Sequence, residues 1–173
     1  TFKTIGTVGA TGTSVGTSAA RVRRIVTGDM DGDGDLDIVA ASDDGEDYEL
    51  IIWENDGTFF DGSWPQHDIG AMGTIYALVV GDLDGDGDMD IVCGQDVSPR
   101  LVIWENDNAA TWSWTASSAG SPAARVSSVA LGDLDNDGDL DIVTGTGAHL
   151  QAPSNDYRVI AWENDSSPFT GTW

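Results

Sequence analysis

Cysteine is almost missing from this 173-residue chain: Cys93 stands alone, so no disulfide within the chain can staple the fold. Cationic residues are scarce as well, 7 Lys plus Arg against 30 Asp plus Glu, for a formal charge of -23. A surface of that sign excludes a nucleic-acid binder that works by neutralising phosphates, and it opposes docking on anionic lipid. No apolar run approaches the ~20 residues of a membrane span, so no membrane insertion is expected. No segment carries a sustained 3.6-residue period of helical length, which leaves an all-β reading. What the chain does contain is 22 Gly, a supply of turns, and 40% apolar residues with 7 Trp, enough for a packed core.

The apolar and acidic residues are arranged in repeats. Gly28–Val39, Gly81–Val92 and Gly132–Val143 align with one another, each opening Gly-Asp and closing Asp-Ile-Val. A second marker, Trp-Glu-Asn-Asp, recurs at Trp53–Asp56, Trp104–Asp107 and Trp162–Asp165. A short apolar run precedes each acidic stretch, and a run rich in branched residues leads into each Trp (Leu50–Trp53, Leu101–Trp104, Val159–Trp162). Asn55–Gly57 is a turn signal, and a fourth strand is expected around Trp64–Ile69. About four strands in roughly 50 residues is the measure of a β-propeller blade. The expected architecture is three four-stranded antiparallel sheets, with blade 1 over residues 20–70, blade 2 over 71–120 and blade 3 over 121–173.

The acidic stretches carry the chemistry. Aspartates at positions 1, 3, 5 and 9 with glycine at 6 (Gly34, Gly87, Gly138) suit a calcium loop. Ca²⁺ takes about 6–8 oxygens, and alternate residues of a tight loop turn their carboxylates to one centre. Candidate ligands are the side chains of Asp29, Asp31, Asp33 and Asp37 in the first loop, with the Asp35 carbonyl. In the second they are Asp82, Asp84, Asp86 and Asp90, with the Asp88 carbonyl. In the third they are Asp133, Asp135, Asp137 and Asp141, with the Asp139 carbonyl. These residues are half of the chain's 30 acidic groups, crowded tightly enough to repel strongly without a cation. Three calcium ions, coupled to folding, are therefore expected. An EF-hand is excluded, because position 12 holds Ala40, Cys93 or Thr144 where that loop needs Glu.

The stretch Gly81–Val92 and its two copies resemble the FG-GAP/VCBS repeats, whose calcium loops also occur in the propellers of integrin alpha chains. The resemblance covers residues 20–173 and implies blades with Ca²⁺ held in a hairpin between two strands, serving structure more than catalysis. Neither Phe-Gly nor Gly-Ala-Pro stands where the FG-GAP pattern has them, which places the chain on the VCBS-like side. Three repeats are too few to close a ring, so an incomplete ring or part of a larger assembly is expected.

The remaining residues supply expectations of lesser weight. Residues 1–6, set after Trp173, reproduce the outer strand that the third unit needs, so they complete a blade in the same or a neighbouring chain. Residues 7–19, rich in Thr, Gly and Ser, read as a connector. A three-blade piece exposes a strand edge and an apolar face, hence an expectation of self-association through blade edges as a filament, array or multi-chain ring. Trp53, Trp104 and Trp162 read as packing between blades, whereas Trp64, Trp112, Trp114 and Trp173 are candidates for stacking on glycans in a lectin-like alternative. Asn164-Asp165-Ser166 fits a glycosylation acceptor. His67 and His149 fall in different blade positions and assemble no catalytic set, so the chain is read as a non-enzyme, or alternatively as a non-catalytic accessory domain of a larger secreted enzyme. Millimolar calcium outside cells suits an extracellular or cell-surface setting.

Overall fold

The computed structural model describes residues 14–16, 18, 21–43, 48–58, 64–70, 73–108, 111–147, 157–170 and 173. These residues form eleven strands: β1 (Arg21–Gly28), β2 (Asp37–Asp43), β3 (Tyr48–Trp53), β4 (Gln66–Gly70), β5 (Ile75–Gly81), β6 (Asp90–Gln95), β7 (Leu101–Asn108), β8 (Ser113–Gly120), β9 (Arg125–Gly132), β10 (Asp141–Gly147) and β11 (Val159–Trp162). Two sheets are four-stranded meanders, β1-β2-β3-β4 and β5-β6-β7-β8, and the third has the order β9-β10-β11. Every pairing is antiparallel. The chain is thus all-β and built of propeller-type blades, and no α-helix occurs among the described residues. The third blade differs from expectation in having three described strands, with β11 at its edge. Residues 1–6, expected as its outer strand, lie outside the described residues, as does most of the 7–19 segment.

Each sheet packs face to face on the next, with first strands adjacent: β1 lies beside β5 and β5 beside β9. One apolar core joins Val39, Leu50 and Ile52 of the first sheet to Ile75, Leu78, Ile91 and Val102 of the second. Another joins Val92, Leu101 and Ile103 to Val126 and Ile142 of the third. Strand β6 is buried along its whole length because both of its faces are covered, which explains why Asp-Ile-Val-Cys reads as a continuous run and not an alternating one. Cys93, aligned with Ala40 and Thr144, sits fully buried there, and burial pushes its thiol up to about 12.

The sheets are brought close by a repeated fit of tryptophan to glycine. A Cβ on Gly70, at the end of β4, would lie 2.4 Å from the Trp104 ring, and one on Gly120, at the end of β8, 2.5 Å from the Trp162 ring. Each Trp therefore lies over the last residue of the preceding sheet's outer strand, a place only glycine leaves open. Trp64 is buried, while Trp112, Trp114 and Trp173 are part-buried and pack on the inter-sheet cores. Trp112 also stacks on His67, with ring centroids 3.8 Å apart. No row of exposed aromatics results, so the glycan-stacking expectation gains nothing from these four residues.

Candidate metal centres

Each acidic loop joins the first and second strands of its sheet. The closing pair is the same in all three hairpins: Gly28 opposite Asp37, Gly81 opposite Asp90, Gly132 opposite Asp141. Loop position 6 is left-handed as expected, with φ of 97° at Gly34, 99° at Gly87 and 104° at Gly138. Position 4 is left-handed too, at Gly32, Gly85 and Asn136, a second demand that the spacing of the aspartates does not reveal. Asn136 meets it because asparagine tolerates that region better than other side chains do.

The hydrogen bonds repeat with the loops. Asp29 accepts Gly32 N–H at 2.9 Å and Gly34 N–H at 3.0 Å; Asp82 accepts Gly85 N–H and Gly87 N–H; Asp133 accepts Asn136 N–H. At positions 3 and 5, Asp31, Asp33, Asp84, Asp86, Asp135 and Asp137 each accept the N–H two residues on, through Oδ1. Position 9 is different. Asp37, Asp90 and Asp141 are buried, and both oxygens of each are taken by backbone N–H groups, one from position 2 and one from the asparagine of Trp-Glu-Asn-Asp. These aspartates pin the loop to the C-terminal end of the third strand or to the residues just after it.

Carboxylate oxygens converge in every loop. Ligand atoms of Asp29, Asp31 and Asp33, of Asp82, Asp84 and Asp86, and of Asp133, Asp135 and Asp141 lie within 4.8 Å of one another in each group. Asp35, Asp37, Asp88, Asp90, Asp137 and Asp139 are outside these groups, so of the position-9 candidates only Asp141 joins one; the Asp139 side chain accepts the Ser166 hydroxyl. The electrostatic cost is visible. Burial, and after it the charges of neighbouring carboxylates, raise Asp31 and Asp84, and Asp135 moves the same way. Burial pushes Asp90 up to about 7, against the lowering pull of its two N–H donors. Glu105, the Glu of the second Trp-Glu-Asn-Asp, is raised by burial and then by Asp107, Asp84 and Asp86, so it stands close beside the second loop.

The asparagine of that marker bridges sheets. Asn106 Nδ2 donates to the Met30 carbonyl of the preceding loop at 3.1 Å and to Met89 of its own. Asn164 Nδ2 donates to Leu83 at 2.7 Å and to Leu140. Asn164 is buried with its amide so engaged, which removes the glycosylation expectation. Asp56 and Asp165 cap local turns through Thr58 and Ser167, while Asp107 accepts from Thr115 across to β8. His67 bonds Glu54 at 2.7 Å, and His149 lies outside the described residues.

The donor set suits a hard divalent cation: oxygen only, anionic, and held by backbone N–H groups before any ion arrives. None of the curated proteins matches the chain. A family profile described as an FG-GAP-like repeat matches residues 29–93 and 82–144, and each match begins on the first aspartate of a loop. Together the two matches run from the first loop through the third, across more than half of the sequence, and the chain belongs to the FG-GAP-like repeat family.

Proposed function

We infer that this chain is a calcium-stabilised, propeller-type module with a structural or adhesive role outside the cell. The observation that carries the reading is the recurrence of three converging carboxylates at the same hairpin of three successive sheets. In the first loop Asp29, Asp31, Asp33 and Asp37 would hold the ion with the Asp35 carbonyl. Asp82, Asp84, Asp86, Asp90 and the Asp88 carbonyl would do so in the second, and Asp133, Asp135, Asp137, Asp141 and the Asp139 carbonyl in the third. A bound cation supplies positive charge where burial and mutual repulsion otherwise oppose ionisation. Mg²⁺ suits such a loop less well, since it prefers a rigid octahedron and retains water.

Extracellular calcium is abundant enough to saturate loops of this kind, which supports the external setting. No helix of the described residues is long and apolar enough to cross a membrane. A module of three blades also presents two unlike ends, a property suited to joining further modules. The test is a melt followed by circular dichroism with calcium, with magnesium, and with chelator. Calcium should raise the melting temperature well above the chelated value and above the magnesium value, and three coincident curves would refute the reading.

A further inference from the structure

The two ends of the stack match each other as the internal joints do. In both internal joints, the face of one sheet toward the next buries the position-2 residue of the loop and the first apolar residue of the third strand: Met30 and Leu50, then Leu83 and Leu101. On the third sheet the equivalent residues are Leu134, 53% exposed, and Val159, 81% exposed. The opposite face behaves likewise. Ile75 and Leu78 of β5 pack on the first sheet, whereas their counterparts on β1, Val22 and Ile25, are 42% and 62% exposed. Each internal joint also has its Asn-to-carbonyl bond. Among the described residues Asn55 Nδ2 donates only within its own sheet, to Leu36 O, and no asparagine reaches the Leu134 carbonyl.

Gly16 adds a second, independent sign. A Cβ there would lie 2.1 Å from the Trp53 indole, so Gly16 stands to Trp53 as Gly70 does to Trp104 and Gly120 to Trp162. The neighbouring Val15 carbonyl accepts Trp64 N–H at 2.9 Å, and Val15 packs with Trp53 and Trp64. In the other two cases the glycine ends the outer strand of the preceding sheet. Val15-Gly16 therefore stands where the end of a preceding sheet's outer strand would stand; among the described residues no sheet comes before β1, and the sheet at the far end, β9-β10-β11, shows no fourth strand.

We propose that a second copy of this chain docks head to tail: its first sheet covers Leu134 and Val159 of the third, and its Ser14–Gly16 segment lies along β11 as the fourth strand. The geometry repeats the internal joints, with Asn55 of the incoming copy donating to the Leu134 carbonyl. Register follows from the other sheets, where Leu50 faces Gly70 and Ile51 faces Asp68, and Leu101 faces Gly120 and Val102 faces Ser118. By the same offsets Val159 faces Gly16 and Ile160 faces Ser14. The contact joins unlike faces, so it closes a ring if the rotation allows and otherwise extends as an array.

This joint rests on the propeller-module reading but not on calcium, so the ion content of every fraction is measured alongside its mass. Light scattering on the whole chain in calcium should give dimers or longer species. Ile25→Asp and Val159→Asp, both at exposed positions, should still unfold cooperatively and each be monomeric. An equimolar mixture of the two retains one good face of each kind and should recover dimers that grow no further. A folded, calcium-loaded wild-type monomer overturns the proposal, and so does a mixture that stays monomeric or a single variant that still associates. Ser14→Cys mixed with Ile160→Cys should give a disulfide-linked dimer under mild oxidation, since directly opposed residues of antiparallel strands lie within bridging distance. Association without that cross-link overturns the strand assignment.

Discussion

In each loop the aspartate at position 9 accepts two backbone N–H groups, while those at positions 3 and 5 accept one each and face solvent more openly. A loss at the two kinds of position should therefore look different. Asp90→Ala leaves the Leu83 and Asn106 N–H groups without an acceptor, at about 1–3 kcal/mol apiece, so it should destabilise by about 2–5 kcal/mol even in chelator. Asp86→Ala removes one proposed ligand and one local bond at an exposed site, and in chelator it should change stability by no more than ~0.5 kcal/mol. Urea melts of both variants, with and without calcium, separate pinning from ligation; equal losses in chelator would show that position 9 has no pinning role. The buried Asp90 carboxyl also sets a pH response. Its folded value of about 7 lies above the unfolded one, so the chelated folded state binds the extra proton, and stability should fall as pH rises from about 4 to about 7. A flat profile in chelator, or one that rises over that window, would contradict the assignment.

Sheets meet through features that no single repeat contains. Gly120 receives the Trp162 ring, and a methyl group there would have to displace it, so Gly120→Ala should cost about 1–3 kcal/mol through overpacking. The same change at Gly132, where nothing lies within 4 Å of the added atom, should cost far less, and paired melts of the two variants check the contrast. The loops were legible in the sequence because spacing along one hairpin determines them; the strands flanking each Trp were legible from their branched residues. The joints were not. Asn106 and Met30, or Asn164 and Leu83, are partners from neighbouring repeats, and nothing local to either residue announces the other. A signal did exist for Gly16. Gly16-Thr-Ser-Ala-Ala-Arg-Val22 parallels Gly120-Ser-Pro-Ala-Ala-Arg-Val126, which sets Val15-Gly16 level with Ala119-Gly120, but its Thr and Ser content reads as connector.

Across the whole molecule, charge dominates. A net charge of -23 on 173 residues opposes the compact state by self-repulsion, and half of the acidic groups sit in three small loops. Added salt shortens the reach of that repulsion from ~30 Å at 0.01 M to ~3 Å at 1 M. In chelator, sodium chloride over that range should raise the melting temperature markedly, whereas in calcium, with the loops neutralised, the rise should be much smaller; equal salt dependence in the two conditions would mean that the loops are not the source. The measurement that bears most directly on the account is the number of calcium ions held per chain, by calorimetric titration of stripped protein with elemental analysis of the product. Three per chain, falling to two in Asp86→Ala, is the predicted result. A folded chain that takes up none at millimolar calcium would contradict it.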